Sequence, residues 1–102
     1  MIVRLVKMTF YAKHRDDFER LFNERRHLIG TFPGCHSVDL LKEVYSGEET
    51  IVYFTRSIWD SEVDLENYRQ SELFQDTWEK TRSLFASKAE AWSTELAATF
   101  PD

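Results

Sequence analysis

The stretch AEAWSTELAATF, residues 89–100, decides the fold. Ala91, Ser93 and Glu95 alternate with Trp92, Thr94 and Leu96, which is the two-residue period of a strand. The alanines suit a helix as well. The strand reading is preferred because of what precedes it.

Ile2–Phe10 alternates too. Ile2, Arg4, Val6, Met8 and Phe10 share one face, and Val3, Leu5, Lys7 and Thr9 the other. Both faces are largely apolar, as in a strand covered on both sides. From His14 to Ile29 the period changes, and Phe18, Leu21, Phe22, Arg25, Leu28 and Ile29 fall on one helical stripe. Gly30 is placed to stop this helix, and Pro33-Gly34 forces a turn. A second strand is expected over 35–44. Ser46-Gly47-Glu48-Glu49 signals a hairpin, and Thr50–Ile58 is a third strand rich in β-branched and aromatic residues. Asp60 or Ser61 caps a short helix over 61–69. Ser71 opens another, with Leu73, Phe74, Thr77, Trp78, Thr81, Leu84 and Phe85 on its stripe.

With the tail as a strand the order becomes β-α-β-β-α-β. This is an α+β, ferredoxin-like fold with a four-stranded antiparallel sheet and helices on one face. The chain of 102 residues makes one domain, 1–102. At this size it buries roughly 65% of the surface its unfolded chain exposes. Eight Phe, four Tyr and three Trp are more large rings than so thin a core hides. The face of the sheet opposite the helices is therefore expected to carry apolar side chains, and a second copy packed sheet to sheet would bury it in a homodimeric barrel.

Composition narrows the function. The net charge is −5. The first thirty residues carry seven Lys/Arg against four Asp/Glu, and the remainder six against fourteen. The basic residues belong mostly to one helix and alternate with acids, so no nucleic-acid footprint is expected. No apolar run reaches the roughly 18–20 residues of a membrane span. No leader pattern opens the chain, and the cytoplasm is the expected compartment. Cys35 is the single cysteine, which excludes an internal disulfide.

These marks together resemble the antibiotic biosynthesis monooxygenase superfamily of dimeric α/β-barrel proteins. They are a helix ending in Phe32-Pro33-Gly34-Cys35, then Thr55-Arg56-Ser57-Ile58-Trp59-Asp60-Ser61, then Leu65, Tyr68, Arg69, Ser71, Phe74 and Trp78. The resemblance implies a cofactor-free monooxygenase acting on a small aromatic or quinol-like compound. Second to this stands a non-enzymatic small-ligand-binding or stress-response module of the same fold, and third a haem-binding or haem-degrading protein. The haem-degrading branch uses an Asn on the first strand, a Trp on the second helix and an axial His on the third. Here Ile2–Phe10 has no Asn, Tyr68 and Trp78 stand near the other two positions, and no His follows His36.

The candidate pocket residues are Trp59, Phe74, Trp78 and Trp92, between sheet and helices. The catalytic candidates are Arg56, to stabilise a phenolate or enolate if its side chain turns inward, His36, whose ordinary pKa lies near neutrality, and Tyr68. No metal site is expected: His14 and His27 sit at opposite ends of one helix, and His36 lies on a strand. No cofactor motif occurs. Cys35 and His36 are adjacent on a strand and point to opposite faces, so Cys35 is read as a small, partly buried thiol.

Overall fold

The computed structural model describes residues 1–45 and 47–101. Strand β1 (Ile2–Tyr11) runs through a short 3-10 turn at Ala12–His14 into helix α1 (Arg15–Gly30). Strands β2 (Cys35–Lys42) and β3 (Thr50–Trp59) follow, then helices α2 (Glu62–Arg69) and α3 (Glu72–Arg82), and last strand β4 (Glu90–Glu95). The sheet order is β2-β3-β1-β4 with every neighbour antiparallel. This is the ferredoxin-like α+β order, with its second crossover built from two helices and its sheet open.

The tail forms a strand, and a shorter one than residues 89–100 allowed. Beyond Glu95 the described residues make no ladder, and all are exposed. The hairpin signal includes Ser46, which lies outside the described residues.

Register decides which side chains meet the helices. Ile2 pairs with Trp59, Val6 with Thr55 and Ala91, and Phe10 with Ile51. Cross-strand partners share a face, so the even residues of β1 and the odd residues of β3 and β4 point toward the helices. Two clusters result. Ile2, Ile29, Trp59, Leu65 and Tyr68 form one, and Met8, Phe10, Phe18, Ile51 and Tyr53 the other. Trp59, Tyr53 and Phe10 are the largest fully buried side chains. Burying a side chain of this size contributes roughly 1.5–3 kcal/mol relative to exposure.

On α1 the buried stripe is narrower than its hydrophobic pattern. Phe18 and Ile29 are buried, whereas Leu28 is 53% exposed. Phe18, Phe22, Arg25 and Ile29 are spaced i, i+4, i+7, i+11 and take the contact line; Leu28 falls beside it. Arg25 stays on that line because it is satisfied there. It donates to Thr77 Oγ1 at 2.9 Å and pairs with Asp76 at 2.8 Å, tying α1 to α3.

The turn after α1 corrects a second expectation. Gly30 is the last helical residue rather than the residue beyond the end. The helix is closed by Thr31, whose N–H and Oγ1 both donate to the His27 carbonyl, at 3.0 and 2.7 Å. The glycine the backbone requires is Gly34, at φ +87°. A Cβ there would stand 2.4 Å from Asp64 Cγ, so Gly34 lets the β2 start approach the first turn of α2.

Serines set the two short helices. Ser61 Oγ accepts from the Asp64 N–H at 3.2 Å and Ser71 Oγ from the Phe74 N–H at 3.1 Å. Of the two expected caps for α2, Ser61 serves. Ser71 Oγ also donates to the Tyr68 carbonyl at 2.6 Å, which fixes the corner between α2 and α3.

Candidate functional site

Between the sheet and the three helices lies a cavity of about 280 Å³. The strands supply Arg4, Val6, Met8, Val38, Thr55, Ser57 and Ala91. The helices supply Phe18, Phe22, Ile29, Leu65, Tyr68, Arg69, Phe74, Thr77, Trp78 and Thr81. Ala89 lies before β4. Of these, Ala91 and Arg69 are exposed, so the mouth lies at β4 and the end of α2.

The aromatic wall follows from helical spacing. Phe74 and Trp78 are one turn apart on α3, and their rings stack with centroids 5.8 Å apart and planes 9° apart. Tyr68 meets Phe74 edge to face at 5.2 Å, held by the Ser71 corner. Behind Tyr68, Trp59 stacks at 4.9 Å and 28°. Trp59 is itself fully buried and does not line the cavity; it is a backing for Tyr68. Its Nε1–H donates to Ser57 Oγ at 2.9 Å, which leaves the Ser57 proton available to a guest.

The polar groups are few. Tyr68 is buried, and burial pushes its phenol above the ordinary tyrosine range, so it is a neutral donor. The nearby Cys35 thiol pushes the same phenol up as a second, smaller cause. Arg4 donates to Ser93 Oγ at 3.0 Å, and Arg69 pairs with Glu66 at 3.3 Å. Burial, first, and the Arg69 charge, second, push Arg4 below the ordinary arginine range, with Glu66 opposing them. Among the described residues no carboxylate or imidazole lines the cavity.

The structure brings together Tyr68, Phe74 and Trp78 among the sequence candidates. Trp92, Arg56 and His36 lie elsewhere. Trp92 pairs with Leu5 on the opposite face of the sheet and is 46% exposed. Arg56 also points to that face, where it donates to Asp39 at 2.8 Å. His36 is exposed and bonded to Asp60, beside a groove at the end of α1. His14 pairs with Asp17 at 3.8 Å, far in sequence from both. Among the described residues no three His, Cys, Asp or Glu side chains converge as metal ligands. Cys35 is half-buried with its thiol directed to the Ser37 carbonyl, and burial pushes its pKa up.

Among the polar cavity residues that escaped the sequence reading as site candidates are Arg4, Ser57 and Arg69. The signal for Arg4 was present: it is the one charged residue among Ile2, Val6, Met8 and Phe10. A cation on a core-facing stripe has to reach water or a partner, and here it reaches a cavity mouth.

Comparison with known proteins agrees with this architecture. A family model described as antibiotic biosynthesis monooxygenase matches residues 1–80. Among solved structures, an antibiotic biosynthesis monooxygenase superposes with a TM-score of 0.80 at 14% identity, over 93% of this chain and 97% of that one. A candidate monooxygenase of the same kind from Deinococcus radiodurans gives 0.85 at 10% identity, over 100% and 98%. Rv0793 from Mycobacterium tuberculosis gives 0.79 at 15% identity, over 97% of both. No curated protein matches the chain. These likenesses speak for the fold, and the family model covers most of the sequence. The chain belongs to the antibiotic biosynthesis monooxygenase family.

Proposed function

We propose that this protein oxygenates a small aromatic or quinol-like compound held in the cavity between sheet and helices, with the substrate itself as the electron source. One observation carries the reading: a cavity walled by Phe74, Trp78, Phe18 and Phe22 and lined by Tyr68, whose phenol burial keeps neutral. Its volume of about 280 Å³ lies at the small end of ligand pockets, which favours roughly one or two fused rings.

The lining holds donors and no base. That suits a substrate acidic enough to lose its proton to solvent at the mouth and be bound as its anion. The carbanion form of the anion gives one electron to O₂, and the resulting radical and superoxide combine to form a C–O bond. The peroxide takes up a proton and loses water. For a ring methylene the sum is R₂CH₂ + O₂ → R₂C=O + H₂O, so one oxygen atom enters the product and the other leaves as water. Tyr68 donates to the anionic oxygen, and the apolar wall keeps water from the peroxide.

The expected result in an oxygen electrode, with a panel of hydroquinones, naphthols and naphthohydroquinones, is one O₂ consumed per product formed. One ¹⁸O atom should be retained in the product. Tyr68→Phe should lower kcat about 10-fold with a smaller change in KM, since a transition-state donor is removed. Uptake no greater than the buffer blank across the panel would leave a ligand-binding module of the same fold.

The same reading includes a homodimer formed through the bare sheet face. Val3, Leu5, Val52, Phe54, Ile58 and Trp92 point there by alternation. The two cations on that face are neutralised in place, Arg56 by Asp39 at 2.8 Å and Lys7 by Glu90 at 3.9 Å. An apolar face without net charge fits a second copy of itself.

A further inference from the structure

We propose that the mouth of the cavity is an anion subsite, formed by Arg4 and Arg69, that selects aryl substrates carrying a carboxylate. The inference deepens the oxygenase reading and rests on the cavity being the substrate site.

The charges at the mouth do not balance. Two guanidinium groups, Arg4 and Arg69, line the cavity, and each keeps its charge in a protein. Glu66 is the carboxylate whose charge acts on Arg4; Glu95, on the same face of β4 two residues beyond Ser93, does not. Glu66 bonds to Arg69 at 3.3 Å and is felt by Arg4 without forming an ion pair with it. The only side-chain partner recorded for Arg4 among the described residues is the neutral Ser93 hydroxyl, at 3.0 Å. One positive charge is left over at the rim of an apolar cavity, in a chain whose net charge is −5.

The placement gives this excess a direction. Arg4 lies on the helix-facing side of β1, between Ile2 and Val6, where its neighbours on the strand are core residues. Arg69 ends α2, one residue beyond Tyr68. Both guanidinium-bearing residues line the same cavity as Tyr68, and Arg69 is exposed at its mouth. A flat guest seated on the Phe74–Trp78 wall would present a ring substituent to them.

A carboxylate suits two adjacent guanidiniums better than a single hydroxyl does. It accepts paired N–H···O bonds and takes up the surplus charge. It need not displace much: Glu66–Arg69 is a solvent-exposed pair three residues apart, of the sort that contributes little.

The test uses two non-oxidisable probes of one shape, 2-naphthoate and 2-naphthamide, titrated calorimetrically into the full-length protein. The expected result is at least 10-fold tighter binding of the carboxylate, shrinking as salt is raised. Arg4→Met, which keeps the apolar stem, should reduce the preference to less than 3-fold while leaving naphthamide binding unchanged. Arg69→Met, at an exposed helix end, should reduce it too, and serves if Arg4→Met does not fold. Arg56→Met makes the same charge change on the opposite face and should leave the preference intact. Equal affinity of the two probes for the wild type overturns the subsite, as does a preference that survives both Arg4→Met and Arg69→Met. Equal probe affinity with O₂ uptake on neutral quinols retained refutes the subsite alone. A carboxylate preference without O₂ uptake on any hydroxyaryl acid supports the subsite and refutes the oxygenase reading.

Discussion

Trp59→Ala is expected to lower the free energy of unfolding by about 4 kcal/mol, within the 3–5 kcal/mol found when large core rings are removed. Trp59 is fully buried and ends β3, where it pairs with Ile2 on one side and Cys35 on the other. Its indole stacks on Tyr68 at 4.9 Å and meets Phe32 at 6.4 Å. Alanine leaves a cavity that three secondary-structure elements cannot close together, because each is also fixed by its own hydrogen bonds. It also leaves Ser57 Oγ without its donor. Urea denaturation followed by far-UV circular dichroism measures the change, and Trp59→Phe should recover more than half of it. A loss below about 1 kcal/mol would mean that the α2 corner repacks freely, and the account of how Tyr68 is held would fail with it.

Phe54→Asp is expected to convert a dimer into a monomer at micromolar concentration, raising the dimer dissociation constant at least about 100-fold, as for a central interface residue. Phe54 points away from the helices on β3, and its register partner Lys7 is already neutralised by Glu90. The new carboxylate would be buried between two apolar sheets without a cation, a cost of several kcal/mol. Sedimentation velocity decides the matter, with Leu28→Asp on the outer face of α1 as the matched control that should leave the dimer intact. A wild-type chain that sediments as a monomer at these concentrations refutes the sheet-to-sheet dimer and leaves the cavity untouched.

The order of strands and helices was legible because every segment but the tail has one dominant period. β1 alternates over its whole length, and Phe18, Phe22, Arg25 and Ile29 repeat on α1. The tail was legible only through its neighbours, since AEAWSTE carries both periods; what makes it a strand is the ladder it forms with β1. The helix end was misjudged at Gly30 because the close approach of Asp64 to Gly34 joins residues thirty apart in sequence. Half of the site was legible for the same reason as the fold. Tyr68, Phe74 and Trp78 are related by helical spacing and a serine cap, both local. The polar half was not. Arg56 and Arg4 are cross-strand neighbours of Leu5 and Ser57, one residue out of step, and that single step sends Arg56 to the bare face and Arg4 to the cavity. Trp92 is lost to the site by the same parity, through its pairing with Leu5.

The cavity as the place where an aromatic guest binds is the claim on which the rest stands, and the two methionines offer a direct measurement. Met8 is buried and lines the cavity, whereas Met1 is 64% exposed at the chain start. With ¹³C-labelled methionine methyl groups the protein should show two resonances. Titration with 2-naphthol is expected to shift the Met8 signal through ring currents, saturably and at one equivalent per chain, with Met1 unmoved. A Met8 resonance that stays in place while calorimetry records saturable binding would contradict the account, because the guest would then sit outside the space between sheet and helices.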